Sequence, residues 1–437
     1  MENSFIILSV TMLVLSILVF IISEYDILNP VCIVTTLMTI SVLLATSCAN
    51  RWHLYMSTEA SLIIITSIIC FDIGGFWADW RIKKNLNFIV REKENCIFYI
   101  KNYKLAILCI LILILGYFQY KEFYVASQLL GNQSGPLDFS SMIKAIRPSI
   151  ENETFKFSRW NSYRLVVAEM GVFCSIFCFF MNSIVELKYY WLGNIKYLMP
   201  LIAFIPFILS NTGRELPLDV MLFSLLTGTI IYQIKNEFSI KCKVKTLGFF
   251  AICSGAFFML FLVLGMLSGK VSIGGRPPYE ILAHYGGLSM PAFSIFLNNM
   301  PIENSYIGAT TLSDVYNKLR VMGMDVPQVR GFLPFVEFTG ITTNVYTMMA
   351  RYVKDYGIIG IHLIMALIAM FYVTFYDYVR VISRKYVVVA FYSLLPMTLF
   401  FATNDDRFFT TVLNATTLYN FIILFLMFKV LVNRTEK

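Results

Sequence analysis

The run FIILSVTMLVLSILVFIIS, residues 5–23, carries no charged side chain. About 20 apolar residues in a helix, each rising 1.5 Å, cross the roughly 30 Å hydrocarbon core of a bilayer. The run therefore predicts a membrane-spanning helix. No basic segment precedes it and no small-residue cleavage site follows it, so we expect a retained helix and not a signal peptide.

Similar runs recur along all 437 residues, of which 58% are hydrophobic and only 14% are charged. Soluble domains carry about 25% charged residues, so this chain requires an apolar solvent. We expect an all-α integral membrane protein with about 11 transmembrane helices (range 10–12), forming a single polytopic domain over residues 1–437. The runs lie at 5–23, 27–48, 59–78, 104–120, 163–185, 197–213, 217–234, 246–267, 355–376, 386–403 and 408–428.

Basic side chains between the runs predict the orientation, because positively charged flanks stay in the cytoplasm. With the C-terminus inside, about 11 spans place the N-terminus outside. Two long connections, 121–163 and 268–354, then face outward, and long connections are often functional. The connections assigned to the inner side hold many cations, including Arg81, Lys83, Lys84, Arg91, Arg380, Arg384 and Lys385.

The second long connection, 268–354, is expected to be partly helical. Its segment TTLSDVYNKLRVMG, 310–323, has apolar residues at the spacing of an amphipathic helix, with Thr311 able to cap the start and Gly323 able to end it. The apolar segment PPYEILAHYGGLSMPAFSIFLNNM, 277–300, is broken by glycines and a proline. We expect this segment to be re-entrant or to lie at the membrane interface.

Motifs of soluble enzymes are absent from the sequence. It contains no GxxxxGK[ST], GxGxxG, HExxH, GxSxG or CxxC pattern, so we expect no nucleotide, cofactor or metal. None of the nine cysteines lies in either long outer connection, where a disulfide would form. Aromatic and basic residues do not cluster in a soluble module, so nucleic acid is not an expected partner, whereas membrane lipids are.

The predicted outer face holds more cations than the positive-inside tendency explains. Guanidinium groups match phosphate oxygens in a two-pronged geometry, so converging arginines suit a phosphate or diphosphate. The alternative is that these are solvated loop charges contacting lipid headgroups. The arginines that stand out by position are Arg214, Arg276, Arg351 and Arg407.

Three stretches resemble the Wzy-type O-antigen or oligosaccharide repeat-unit polymerases. They are NTGRE (211–215), AHYGGLSMPAF (283–293) followed by NSYIGATTLSDVYNKLRVMGM (304–324), and NVYTMMARYVKDYGIIG (344–360). The resemblance implies a multi-pass glycosyltransferase of the bacterial inner membrane. It also implies that the large outer connections, and with them the N-terminus, are periplasmic and that the C-terminus is cytoplasmic.

Enzymes of this family join oligosaccharide units carried on undecaprenyl diphosphate, which serve as both donor and acceptor. The leaving group is the lipid diphosphate, so the resemblance implies no cofactor; a chain-length regulator membrane protein is a further implied partner. Arg214 and Arg351 fall within the family's motifs, and the resemblance implies that they stabilise charge on the leaving diphosphate. Arg276 and Arg407 are further substrate-binding candidates by position alone.

An acceptor hydroxyl must lose a proton, so a carboxylate or a histidine should lie close to it. The candidates are Glu215, Glu280, His284, Glu337 and Asp355, of which Glu215 can also bind substrate. His284 can titrate near neutrality, but a structural role is its alternative. Asp355 can instead form a helical i,i+4 pair with Arg351.

Asn344, Tyr346 and Tyr352 are expected to face the sugar through hydrogen bonds and flat aromatic contact. Their alternative is a helix start, with Thr342, Thr343 or Asn344 as cap and Tyr346 at the membrane interface. The stretch TNDDRFF, 403–409, has paired carboxylates that could hold a cation, although an outer turn is a sufficient explanation without further ligands.

Two other functions remain open. An O-antigen ligase shares the Gly-Arg turn and a large outer loop, but would transfer the glycan to a lipid A core. A flippase or transporter for a lipid-linked glycan should place ionisable residues near the midplane, in matched helices of two repeats. The charges here gather at the outer ends of the runs, which favours the enzyme, although Asp72 has no role in it.

Overall fold

The computed structural model describes residues 2–85, 96–131, 139–151, 155, 157–185, 191–210, 215–267, 277–299, 307–326, 333–383 and 385–436. Most of these residues are helical. The helices are α1 Glu2–Ile22, α2 Pro30–Cys48, α3 Thr58–Asn85, α4 Asn102–Gly131, α5 Phe139–Glu151, α6 Arg159–Phe180, α7 Trp191–Asn194, α8 Met199–Ala203, α9 Ile205–Ser210, α10 Glu215–Lys235, α11 Ile240–Leu267, α12 Pro278–Gly286, α13 Ser289–Asn298, α14 Ser313–Val321, α15 Met349–Asp377, α16 Tyr386–Ser393 and α17 Ala415–Leu431.

Short 3₁₀-helical or π-helical segments lie next to several of these helices. They cover Met181–Val185, Ile195–Leu198, Tyr378–Ser383, Pro396–Phe401 and Phe408–Val412. The strands are β1 Cys96–Ile100, β2 Val336–Phe338, β3 Ile341–Thr343 and β4 Val432–Glu436, which form two antiparallel pairs, β1 with β4 and β2 with β3. The predicted all-α class is therefore confirmed for the described part of the chain.

Seven of the described helices are long and apolar enough to cross a membrane, which supports a membrane-embedded protein. The run predicted at 246–267 is also helical and falls in α11. Shorter apolar helices cover most of the three other predicted runs, at Ile195–Ser210, Tyr386–Phe401 and Ala415–Leu431. The count of about 11 crossings stays a prediction.

The chain divides into two compact units. The first comprises Met1–Arg91, Arg276–Ser383 and Leu394–Thr417. The second comprises Glu92–Gly275, Arg384–Ser393 and Leu418–Lys437. Segments far apart in the sequence thus contribute to each unit, which no composition shift along the chain indicates.

In the first unit, α3 and α15 pack along each other, and two adjacent glycines make this possible. A Cβ on Gly74 would lie 2.4 Å from the carbonyl oxygen of Ala366, and a Cβ on Gly75 would lie 2.3 Å from Cγ2 of Val31 in α2. Real side chains do not approach so closely. The two glycines therefore let the helix backbones come nearer than any other residue would allow.

One end of the first unit carries a buried ionic group centred on Arg380. Its Nη2 lies 2.6 Å from Asp79 and 2.7 Å from Asp377, and its Nη1 lies 3.8 Å from Asp26. The hydroxyl of Tyr376 donates to Asp26 at 2.6 Å. Since Asp26 precedes α2, Asp79 lies near the end of α3 and Arg380 follows α15, these contacts bring the start of α2 together with the ends of the other two helices.

The apolar segment 277–300 forms two short helices, α12 and α13, of 9 and 10 residues. Neither is long enough to cross a bilayer. A Cβ on Gly287, between them, would lie 2.8 Å from the backbone nitrogen of Ala45, so this glycine allows close packing on α2. Most of α13 is buried against α2, α3 and α15. Whether the segment is re-entrant stays a prediction.

Helix α14 occupies the predicted amphipathic stretch, and Gly323 follows it with a φ of 89°, as expected for a residue that ends a helix. The predicted cap is wrong. The residue before α14 is Leu312, which makes no side-chain cap, and the Thr311 hydroxyl instead hydrogen-bonds to Asp355 of α15. The unpaired backbone groups at a helix start are N–H donors, from which a capping hydroxyl accepts. The Thr311 hydroxyl here donates to a carboxylate from another helix, which is a strong acceptor.

In the second unit, α4, α6 and α10 pack together, with the rings of Phe173 and Phe223 stacked 4.0 Å apart. Helix α5, within the first predicted long connection, packs its apolar face on α4 around Phe123. Arg164 of α6 forms an ion pair with Glu122 of α4.

Candidate functional site

The stretch NVYTMMARYVKDYG folds as a short helical piece in front of a long apolar one. Helix α15 is interrupted at Gly357, whose φ of 69° and ψ of −173° lie in a region that only glycine adopts readily. Arg351, Tyr352 and Asp355 lie on the short piece. The break thus separates the charged residues from the apolar part of α15.

Arg351 is held by oxygen ligands on several sides. Its Nε donates to Oδ1 of Asp405 at 2.8 Å, and its Nη2 donates to Oδ2 of the same carboxylate at 3.3 Å. Its Nη1 donates to the carbonyl oxygen of Thr310 at 3.1 Å. Only 6% of the Arg351 side chain is exposed. A buried guanidinium in a two-pronged pair is a rigid, oriented cation.

The carboxylate of Asp355 binds two successive threonines. It accepts hydrogen bonds from the backbone N–H groups of Thr310 and Thr311, with Oδ2 distances of 3.0 and 2.7 Å. It also accepts from their hydroxyls at 2.6 and 2.8 Å. Asp355 therefore fastens the turn before α14 to α15, and its predicted role as a general base stays a prediction.

The same turn touches α15 at a second point. Gly308 has a φ of 77°, and a Cβ there would lie 3.0 Å from the hydroxyl oxygen of Tyr356. That hydroxyl lies 2.9 Å from the Thr311 hydroxyl. The turn thus approaches α15 closely and places the Thr310 carbonyl within reach of Arg351.

Asp406 follows Asp405 in the chain and is completely buried. Its Oδ1 accepts the Tyr352 hydroxyl at 2.6 Å and the backbone N–H groups of Phe408 and Phe409 at 2.9 and 3.2 Å. Its Oδ2 is buried and has no hydrogen-bond partner among the residues that the structure describes. Burial raises the pKa of Asp406 to about 6. A carboxyl group with such a pKa exchanges its proton near neutrality.

We call the set Thr310, Thr311, Arg351, Tyr352, Asp355, Asp405 and Asp406 the Arg351 cluster. Sequence reasoning found its three members on α15 but assigned Asp405 and Asp406 to an outer turn and gave the two threonines no role beyond capping. One sequence signal could have indicated a role for Asp405 and Asp406. They are two adjacent acidic residues directly after an apolar run, in a chain with few charges.

Two other residues of the motif, Asn344 and Tyr346, are not part of the Arg351 cluster, and their predicted contacts with the sugar stay a prediction. Tyr346 is 2% exposed, packs edge-to-face on Phe296 and donates its hydroxyl to the carbonyl oxygen of Pro334 at 2.6 Å. Burial raises the pKa of Tyr346 to about 12, so this phenol stays protonated. Asn344 is half-buried after β3 and does not cap α15, whose cap position is Met348. The predicted cap at Thr342, Thr343 or Asn344 is therefore wrong, because α15 begins only at Met349.

The remaining predicted residues are distributed over both units. His284 is half-buried in α12 with its ring against Tyr285, and Glu337 is exposed in β2. Glu280 is buried and forms an ion pair with Arg51. Arg407 is half-buried, with its guanidinium carbon 5.0 Å from the centre of the Phe401 ring. Glu215 is exposed at the start of α10, in the second unit. Arg214 and Arg276 lie outside the described residues.

Within the described ranges, no group of three or more His, Cys, Asp or Glu residues is arranged to hold a metal ion. Comparisons with protein-family models, with curated proteins and with solved structures find no match to this chain. Function is therefore inferred from the residues and their geometry.

Proposed function

We propose that this chain is an O-antigen-type polymerase, a membrane glycosyltransferase that joins oligosaccharide units carried on undecaprenyl diphosphate. The observation that carries the proposal is the buried guanidinium of Arg351, aligned by two-pronged contact with a carboxylate at the start of a long apolar helix. The same geometry suits the oxygens of a diphosphate.

In the proposed reaction, an acceptor hydroxyl oxygen bonds to the anomeric carbon of the donor sugar. The bond from that carbon to the diphosphate oxygen breaks, and the diphosphate leaves with the electron pair. The hydroxyl proton passes to a carboxylate, for which Asp355, Asp405 and Asp406 are the candidates in the Arg351 cluster. A cation that is already oriented stabilises the developing charge without reorganisation.

The proposed location is the bacterial inner membrane, with about 11 crossings formed by the seven long helices, α11 and the shorter apolar helices. Arg81, Lys83 and Lys84 lie at the end of α3 near the Arg380 group, which the positive-inside tendency assigns to the cytoplasm. Arg351 begins the same helix that Arg380 follows, so we assign the Arg351 cluster to the periplasmic side.

A second candidate is a flippase or transporter for the same lipid-linked glycan. It is favoured by Asp72, which is buried in the middle of α3 and accepts the Thr35 hydroxyl at 2.7 Å. Its Oδ2 has no hydrogen-bond partner among the described residues. An ionisable side chain inside a membrane helix is typical of transport pathways. The polymerase explains the Arg351 cluster, which the transporter leaves without a role.

Reconstitution tests the proposal directly. The purified full chain in liposomes should extend a synthetic lipid-diphosphate oligosaccharide into a ladder without nucleotide, and Arg351→Ala should lower polymer formation on the order of 100-fold or more. Arg320→Ala, on the exposed face of α14, is the matched control and should leave the ladder unchanged.

The outcomes separate the candidates. A ladder of wild-type length from Arg351→Ala would contradict the role of this arginine. Product formed only when a lipid A core is the acceptor would identify a ligase. Movement of the labelled lipid across the bilayer without any new glycosidic bond would identify a flippase.

A further inference from the structure

The carboxylate of Asp405 sits in a site with three N–H donors. Two of them are Nε and Nη2 of Arg351, and the third is the backbone N–H of Asp406, which donates to Oδ1 at 2.8 Å. The third donor belongs to the loop, so an anion at this place is held by both the helix and the loop. Convergent N–H donors around one oxygen anion form an anion-binding site.

Arg351 and Asp405, the two partners of this ion pair, differ in their exposure to solvent. The Arg351 side chain is 6% exposed, whereas the Asp405 side chain is 39% exposed. Arg351 is also fixed from behind, because its Nη1 donates to the Thr310 carbonyl, and Asp355 anchors Thr310 through the backbone N–H and the hydroxyl. Turning Asp405 outward exposes a carboxylate to water at little cost, whereas withdrawing Arg351 would break an interlocked set of contacts.

We propose that the Asp405 carboxylate occupies the position on Arg351 at which a diphosphate oxygen binds, and that a diphosphate-bearing substrate displaces this carboxylate. This inference rests on the proposed function and names the group that the substrate replaces. The incoming oxygens take over the donors Nε and Nη2 of Arg351 and the N–H of Asp406, while Asp405 turns toward solvent. No covalent bond changes in this step.

The displacement has a consequence for selectivity. The Asp405 carboxylate competes with every anion for the N–H donors of Arg351 and Asp406, so a weakly bound anion does not displace it. A diphosphate carries more charge and more acceptor oxygens than a carboxylate, and it replaces each lost contact. The internal anion thereby favours a diphosphate over monovalent anions.

Binding to the full-length protein in nanodiscs tests this inference, with inorganic pyrophosphate and farnesyl diphosphate as the two probes. Asp405→Asn removes the competing charge and places an amide against the guanidinium, and the NH2 group of that amide cannot accept a hydrogen bond from the guanidinium. We expect it to tighten binding of both probes about tenfold. Asp325→Asn, on an exposed loop of the same unit, should leave binding unchanged. If Asp405→Asn tightens the binding of farnesyl diphosphate alone, the site is specific for the lipid-linked form. If it tightens the binding of both probes by the same factor, the site recognises the diphosphate anion itself.

The outcomes distinguish this inference from the proposed function. If Arg351→Ala abolishes binding but Asp405→Asn leaves it equal or weaker, the displacement is wrong and the diphosphate role of Arg351 stands. If Arg351→Ala binds the probes like the wild type, both the displacement of Asp405 and the diphosphate role of Arg351 are wrong. Absence of binding in the wild type and in Asp405→Asn alike also contradicts both.

A second measurement covers the case in which Asp405→Asn does not fold. Carbodiimide labelling of carboxylates in the wild-type protein, read by mass spectrometry, reports the exposure of Asp405. Labelling of Asp405 should rise several-fold on addition of pyrophosphate, while that of Asp325 should not change. Unchanged labelling of Asp405 at saturating pyrophosphate would overturn the inference.

Discussion

Arg351 and Asp405 are 54 residues apart in the chain, yet Nε of the arginine lies 2.8 Å from Oδ1 of the aspartate. A complete apolar helix and the segment after it separate them in sequence. The pair therefore joins the start of α15 to the loop before Phe408–Val412. Any movement of that loop changes the surroundings of the guanidinium, so we expect the proposed binding at Arg351 to be coupled to the position of the loop.

Removal of the Asp355 carboxylate should loosen the turn before α14. Asp355→Ala leaves the N–H groups and hydroxyls of Thr310 and Thr311 without their acceptor, which should lower the free energy of unfolding by roughly 2–4 kcal/mol. Thermal unfolding of the purified protein in detergent measures this loss. Asp325→Ala is the control on an exposed loop. Equal midpoints for the two variants would show that the turn is held by other contacts.

Gly357→Ala should disturb the break in α15. An alanine at φ 69° and ψ −173° is strained by about 1–3 kcal/mol, and a helix that relieves the strain moves Arg351 away from the 403–407 loop. We expect lower stability and loss of polymer. Gly248→Ala, at an α11 position with no heavy atom within 4 Å of the added Cβ, should leave activity unchanged and stability equal or slightly higher. The prediction fails if both variants retain activity and midpoint.

Asp406 should make stability fall as pH rises. Its pKa is raised from an ordinary 3.8 to about 6, so the folded state binds the proton more tightly than the unfolded state. The contribution of Asp406 to the free energy of unfolding is fully present below about pH 4 and is lost as pH rises through about 6. Its upper limit is about 3 kcal/mol. Unfolding midpoints from pH 4.5 to 8 measure this slope.

Asp406→Asn keeps an acceptor oxygen for the Tyr352 hydroxyl and cannot ionise. We therefore expect its midpoint to depend less on pH than that of the wild type over the same interval. Asp325→Asn controls for the loss of one carboxylate and should keep the wild-type slope. A slope in Asp406→Asn equal to that of the wild type would assign the pH dependence to another group.

Gly74→Ala should force α3 away from α15. The added Cβ would lie 2.4 Å from the Ala366 carbonyl oxygen, and a backbone atom cannot turn aside as a side chain does. Overpacking of this kind costs about 1–3 kcal/mol. The measurement is the unfolding midpoint in detergent, with Gly255→Ala in α11 as the control, since nothing lies within 4 Å of its Cβ position. A midpoint for Gly74→Ala at or above that of the control would contradict the close packing.

Part of the candidate site could be predicted from the sequence. Arg351, Tyr352 and Asp355 share one motif, and their charges beside an apolar run mark them as unusual. Their partners could not be predicted, because helical spacing connects Arg351 only to neighbours three or four residues away. The observed partner of Asp355 is a turn 44 and 45 residues earlier, and that of Arg351 is a loop 54 residues later.

The sequence by itself determined that this chain is helical and suited to a membrane. Lipid offers no hydrogen bonds, so an apolar run must satisfy its backbone within its own helix, and that property is local. Only the tertiary structure decided that Asp405 holds Arg351, that Asp406 is buried and that Gly74 meets Ala366. These contacts depend on how helices far apart in sequence pack, and burial and pairing of charges are properties of that packing.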